Sequence, residues 1–218
     1  MVLKGKNTIV YGNVLFGKSV ILENNVVIGH PSPQELAGCM EHLEEYSSVD
    51  HLYQSRSRQF VKIGDNVIIR SGTVIYSGVT IGNNFDCAHN VLIRETCQIG
   101  DHVYVKAYTQ IFSRCTIGSH CRLAGLIGDR STIEDNVSSY GLLVHRYVAQ
   151  YTPDMHYDIG PTLHRGCIIG RGAVVIGDIH VGEDAYIAAN TVVNFDVSPG
   201  TLVTGVVGTI KERKAPVL

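Results

Sequence analysis

Four times between residues 63 and 120 the chain restarts one phrase at a spacing of eighteen: Ile63-Gly64-Asp65-Asn66, Ile81-Gly82-Asn83-Asn84, Ile99-Gly100-Asp101-His102 and Ile117-Gly118-Ser119-His120. Between the restarts an aliphatic residue returns every six positions, at Ile69, Ile75, Ile93, Val105 and Ile111. A period of six grouped in threes fits neither a 3.6-residue helix nor a two-residue strand alternation. It fits a parallel β-helix, in which three short strands joined by corners close one coil and successive coils stack.

The same period divides the chain. A first repeat run spans about 10–29, led by Val10, Phe16, Leu22 and Ile28. A second spans about 63–137 and a third about 169–203, the latter led by Ile169, Val175, Val181, Ile187 and Val193. Two inserts, about 30–60 and 138–167, separate them within a single domain 1–218. Ser32-Pro33-Gln34-Glu35 reads as a capping box with proline in the first turn, and Leu36, Met40 and Leu43 follow at helical spacing. That predicts one amphipathic helix from about 33 to 46. Near Leu123–Ile133 the phase slips, because Ile127-Gly128 arrives early. Roughly seven coils about 4.8 Å apart would give a prism near 34 Å long.

Composition narrows the function classes. The charge is balanced, 18 Lys+Arg against 20 Asp+Glu, and no basic stripe is present, so nucleic acid is not the expected partner. No apolar stretch has the length of a signal peptide or membrane span, which gives a cytoplasmic expectation without membrane contact. The six cysteines form no CxxC pair. Cys97, Cys115 and Cys121 occupy the fifth place of their hexads, where Val67, Val79 and Val91 also sit, so they read as small core fillers carrying thiols.

One hexad departs from the pattern. Nine of the ten leading positions from Ile63 to Ile117 are Ile or Val, and the tenth is Cys87, preceded by Asp86 and followed by His89. Such local departures tend to mark functional sites. His102 and His120, one coil apart in the column of Asn66 and Asn84, read as corner residues that tolerate left-handed backbone angles. His145, Arg146, Tyr147, Asp154, His156, Tyr157 and His164 gather in the second insert, where they would recognise a sugar or nucleotide phosphate or simply form a solvated loop.

These repeats resemble the hexapeptide-repeat acyltransferases. The stretch 69–85 and the segment His89-Asn90-Val91-Leu92-Ile93-Arg94-Glu95 look most like N-acetyltransferases acting on nucleotide-linked amino sugars, and the ending 197–205 resembles the family's closing coil. The resemblance implies an all-β, left-handed parallel β-helix, an exception to the right-handed crossover rule. It also implies a homotrimer with sites between subunits, acetyl-CoA as co-substrate and no metal. Ala88-His89-Asn90 resembles the family's catalytic-histidine turn, which makes His89 the expected general base. One coil beyond His89, counting by eighteen, is Ala107, the expected oxyanion donor through its amide. Gly125, a further eighteen on, would line the acyl channel. Asp86, Asn90, Arg94 and Glu95, with His145 and Arg146, are the expected acceptor-binding residues. The family's usual closing loop is replaced here by Val206-Val207-Gly208-Thr209, leaving Lys211, Arg213 and Lys214 for the CoA phosphates.

The leading expectation is therefore acetyl transfer to the amine of a nucleotide-linked amino sugar. The alternatives are O-acetylation of a sugar or small-metabolite hydroxyl, a zinc enzyme like the γ-class carbonic anhydrases, and a catalytically silent scaffold.

Overall fold

The computed structural model describes residues 1–145 and 159–205. The chain winds into a three-sided prism of parallel strands. Ten strands from Val2–Lys4 to Leu202–Val203 form face A, nine from Ile9–Val10 to Val192–Val193 form face B, and eight from Val14–Phe16 to His180–Val181 form face C. Every pairing is parallel and joins successive coils. The prism is longer than the expected seven coils, because the first coil begins at Val2 and coils continue through the predicted second insert. Ten strands at a parallel spacing of about 4.8 Å make face A about 43 Å long.

The repeated phrase is explained at the corner from face C to face A. Its Ile seals the core, as Ile63, Ile81, Ile99 and Ile117 are all buried. Its Gly is a matter of clearance: a Cβ on Gly64 would stand 2.6 Å from the carbonyl of Gly82, and one on Gly100 would stand 2.8 Å from that of Gly118. The third residue links coils. Asp65 Oδ1 accepts the Lys18 N–H at 2.7 Å, Asn83 Oδ1 that of Asp65 at 2.8 Å, and Asp101 Oδ1 that of Asn83 at 2.6 Å. The fourth residue is left-handed, with φ of 56° at Asn66 and Asn84, 57° at His102 and 60° at His120. Asn and His are the residue types that enter this region at least cost. His102 and His120 thus occupy corners, their rings stacked 4.8 Å apart.

The core is a column of aliphatic side chains with thiols among them. All six cysteines are free and buried. Cys97, Cys115 and Cys121 donate to the carbonyls of Phe112, Gly128 and Glu134 at 2.9, 3.1 and 3.1 Å. Burial pushes the Cys87 and Cys121 thiols up to about 11 and Cys167 up to about 12. These are inert packing groups.

Both inserts leave the prism at the edge between faces B and C. The first follows Val27–His30 and returns at Val61–Ile63. The second is shorter than expected, following Leu142–Val144 and returning at Thr162–Leu163, because residues 138–144 build two regular strands. The single helix expected over 33–46 is not formed. Instead the chain makes a first helix, α1, at Pro33–Leu36, then a 3-10 segment at Cys39–Glu45, then a second helix, α2, at Val49–Arg56. The capping box at Ser32 and Glu35 is present, but Gly38, with φ 74°, breaks the helix before the apolar spacing can be used. Met40 is 79% exposed, so it does not belong to a buried stripe. Docking is shared between α1, through Glu35, and α2, whose Asp50 accepts from the Tyr11 hydroxyl at 2.6 Å while Tyr53 packs edge-on against Tyr11 and His30.

Candidate functional site

His89 lies on the edge between faces A and B, in the corner after Asp86–Cys87. Its side chain is half-exposed, and Nδ1 stands 3.8 Å from Glu23 Oε2. Glu23 is itself held: its Oε2 accepts from the Ser71 N–H at 3.1 Å and the Ser71 hydroxyl at 3.0 Å. Three successive coils thereby contribute a histidine, a carboxylate beside it, and the groups that fix the carboxylate. At 3.8 Å the His89–Glu23 contact is electrostatic and not a hydrogen bond. Sequence counting could not reach Glu23. Leu22 pairs with Ile69 across the first insert, so the eighteen-residue step does not apply between those coils.

Ala107 stacks over His89 as counted, since Cys87 faces Val105 and the Tyr108 N–H donates to the His89 carbonyl at 3.1 Å. Among the described residues the Ala107 N–H has no backbone acceptor, and the residue is exposed. Its amide lies at an exposed corner, one coil from the histidine.

Gly125 does not stack over Ala107. The step of eighteen fails here because Ile111 faces Ile127 and Ile117 faces Ile133, sixteen positions on. The missing two residues come from the corner between faces A and B, where only Ala124 and Gly125 separate Leu123 from Leu126. Gly125 therefore takes the place of Thr109, its carbonyl accepting the Gln110 N–H at 3.0 Å where that of Thr109 accepts the Leu92 N–H. The next coil repeats the cut at Tyr140-Gly141. Two shortened corners in a row leave a notch in this edge, beginning one coil beyond Ala107. Gly125 lines the notch; a Cβ there would overlap the Gly141 carbonyl oxygen.

The expected acceptor residues divide between two edges. Asp86 sits on face A and is paired with Arg70, through a short Nη1–Oδ1 contact and a second at 3.3 Å from Nη2 to Oδ2. Asn90 is a left-handed corner residue, φ 58°, adjoining His89. Arg94 and Glu95 are not with His89: they follow Leu92–Ile93 on the edge between faces B and C, across the width of face B. There Arg94 makes a two-point pair with Glu95, 2.8 Å from Nε and 3.0 Å from Nη2, and lies over the Tyr76 ring at 5.1 Å. His145 begins the second insert on that same edge. Arg146, Lys211, Arg213 and Lys214 lie outside the described residues.

Comparison with known proteins agrees with this architecture. Residues 160–194 match the family model for the bacterial transferase hexapeptide, six repeats. A solved UDP-N-acetylglucosamine O-acyltransferase from Moraxella catarrhalis superposes with a TM-score of 0.51 at 13% identity, covering 90% of this chain and 71% of that one. The chain is a left-handed hexapeptide-repeat β-helix. Among sequence relatives, the serine acetyltransferase of Mycobacterium tuberculosis is 34% identical over 91 residues, 42% of this chain and 38% of that protein. The serine acetyltransferase of Helicobacter pylori strain 26695 is 34% identical over 80 residues, 37% of this chain and 44% of that protein. The hexapeptide-repeat chain thus spans less than half the length of these relatives.

Proposed function

We propose that this protein is an acetyl-CoA-dependent acyltransferase whose chemistry is centred on His89. The observation that carries the reading is the stack of Glu23, Ser71 and His89 with Ala107 exposed one coil further on. In the proposed step the acceptor's nitrogen or oxygen attacks the thioester carbonyl while His89 Nε2 takes its proton. The Ala107 N–H stabilises the oxyanion, the carbon–sulfur bond breaks, and the proton passes to the departing thiolate. The notch beyond Ala107, floored by Gly125 and Gly141, would hold the pantetheine arm. Glu23 acts by keeping the imidazole oriented and favouring the cation it becomes.

For the acceptor, the resemblance around His89 favours the amine of a nucleotide-linked amino sugar. A second reading, O-acetylation of serine or a similar small hydroxyl compound, is favoured by the named activity of the sequence relatives. Calorimetry with acetyl-CoA comes first, because saturable binding is common to both. Thiol release in the presence of serine or an amino-sugar nucleotide then separates them. A folded protein that does not bind acetyl-CoA would remove the whole reading.

The assembly we propose is a homotrimer. Face A carries outward Leu3, Ile21, Tyr104, Ile168, Tyr186 and Leu202, and face B carries Ile9, Leu142 and Val192, all of them exposed. Apart from Leu15 in its first strand, face C presents Lys62, Thr80, Gln98, Thr116 and Thr132 instead. Two adjacent apolar faces and one polar face are what a closed ring of copies requires, each face A meeting a neighbour's face B. Sedimentation equilibrium should give three chains per particle, and Ile168→Glu with Tyr186→Glu should give one. A wild-type monomer would refute the assembly.

A further inference from the structure

Away from His89, where face C meets the corner to face A, three side chains that the sequence separates widely form an unbroken line, two from the corner and His180 from the adjoining strand. Glu134 follows Thr132–Ile133, His164 follows Thr162–Leu163, and His180 opens His180–Val181, so each comes from a successive coil. Glu134 Oε1 is 3.0 Å from His164 Nδ1, and His164 Nε2 is 3.0 Å from His180 Nδ1. The imidazole planes are only 16° apart, with centroids 5.3 Å apart. At that spacing the ring nitrogens could come no closer, so each points straight at the other and the rings meet edge to edge. Glu134 is fixed by the Arg165 N–H on Oε2 at 2.9 Å, and the His180 N–H is held by Asp196 Oδ1 at 2.8 Å.

The proton inventory of this line has one neutral solution. Burial works against the Glu134 charge, but the Arg165 amide and His164 outweigh it and hold the carboxyl below the usual carboxylate range. The carboxylate is an acceptor only, so His164 places its proton on Nδ1 and offers Nε2 as a lone pair. His180 must then donate from Nδ1, which leaves its Nε2 bare. His180 also lines a cavity of about 510 Å³ together with Arg165, Gly182, Glu183, Val197 and Pro199.

We propose that Glu134, His164 and His180 form a second acid–base site, in which His180 Nε2 is the reactive nitrogen and the ligand is a small protic molecule of the alcohol, amine or thiol class. Its chemistry is independent of the acyl-transfer reading above. A ligand X–H gives its proton to His180 Nε2, the Nδ1 proton of His180 moves to His164 Nε2, and the resulting imidazolium faces the Glu134 carboxylate. The positive charge thus ends beside a fixed negative one, and no proton is lost or gained overall. The line resembles the base–orienter logic of a nucleophile-activating triad, with a second imidazole inserted.

The test uses p-nitrophenyl acetate as a probe of the bare nitrogen. His180 Nε2 attacks the ester carbonyl, the carbon–oxygen bond to the phenol breaks, p-nitrophenolate leaves, and the Nδ1 proton passes to His164; water later hydrolyses the acetylimidazole. Peptide mass mapping after brief reaction should find the acetyl adduct on His180. His180→Gln should abolish the adduct and slow phenolate release by about tenfold or more, the lower end of what a positioned base contributes. His164→Gln should slow adduct formation, whereas His89→Gln should leave it intact. Imidazole-nitrogen NMR of the wild type should show the Nδ1–H tautomer at both His164 and His180. An Nε2–H tautomer at His180, an absent adduct, or an adduct formed as fast in His164→Gln would overturn the proposal.

Discussion

Replacing Glu35 by Gln tests what holds the first insert against the prism. Its carboxylate gathers five donors: Oε2 accepts the Ser32 N–H at 2.8 Å, the Ser32 hydroxyl at 3.0 Å and, in a short contact, the Ser77 hydroxyl. Oε1 accepts the Arg58 and Gln59 N–H groups at 2.8 and 3.1 Å. Burial opposes the charge, but Ser77 and the three amides outweigh it, and the carboxyl is held below its ordinary value. A glutamine keeps one acceptor oxygen and turns an NH2 toward the other donors. The least costly orientation puts that NH2 on the serine side, where hydroxyls can reverse roles but the Ser32 N–H is orphaned. An unsatisfied N–H costs about 1–3 kcal/mol, and the retained bonds lose their charge assistance. Because the site is partly open to water, we take about 2 kcal/mol, close to a thirtyfold rise in local opening. Hydrogen exchange at Arg58, Gln59 and Ser32 should accelerate by that order while the face B core amides keep their rates. The pH sign is the same. A depressed carboxyl stabilises fully above the ordinary value near 4.3 and loses its contribution as pH falls through the lower folded value, so acid should mimic the mutation. Unchanged exchange at Arg58 and Gln59 would refute the clamp.

Other outcomes follow from the same geometry. His89→Ala should lower acetyl transfer about 10²–10⁴-fold with little change in acetyl-CoA affinity, and Glu23→Gln should lower kcat less steeply; full activity in both would exclude His89 as the base. Gly125→Ala, at φ 90° against the Gly141 carbonyl, should cost about 2–3 kcal/mol and roughly 4–12 °C of Tm. Gly38→Ala has similar strain at φ 74° but open space around it, so it should cost less, and equal losses in thermal scans would deny the close approach. The buried thiols bind their protons more tightly folded than unfolded, so denaturant midpoints should fall as pH rises from about 8.5 toward 11–12. Thiol reagents should meanwhile label Cys87, Cys121 and Cys167 only at the unfolding rate.

The fold was legible because its cause is local and repeated. Each restart of the phrase needs a residue without a Cβ, a side chain that accepts the neighbouring coil's N–H, and a residue content at positive φ. Those three demands are written at Gly64, Asp65 and Asn66 and rewritten eighteen residues later. The same counting placed Ala107 over His89. It misplaced Gly125 because a corner lost two residues, a change in the loop that leaves the aliphatic spacing almost intact. Arg94 and Glu95 follow His89 closely in sequence but lie on another edge, because six residues in a β-helix cross a face. The helix over 33–46 failed for a different reason: a glycine in a left-handed conformation outweighed the apolar spacing that followed it.

What stayed hidden were the partners. Glu23 reaches His89 only because an insert is looped out between their coils, and Glu134 reaches His164 across the second insert. In both cases the carboxylate is contributed by the coil before an interruption and the histidine by a coil after it. A β-helix tolerates inserts at its corners without disturbing the stack, so the stack joins residues whose separation in sequence carries no periodic signal. The inserts that conceal these pairs in the sequence leave the pairs themselves intact. It follows that shortening the first insert within its exposed stretch 40–45 should leave both carboxylate–histidine contacts standing, whereas adding or removing one residue in a strand would break them. For a solenoid of this kind, the useful count is therefore made along stacked coils and not along the chain.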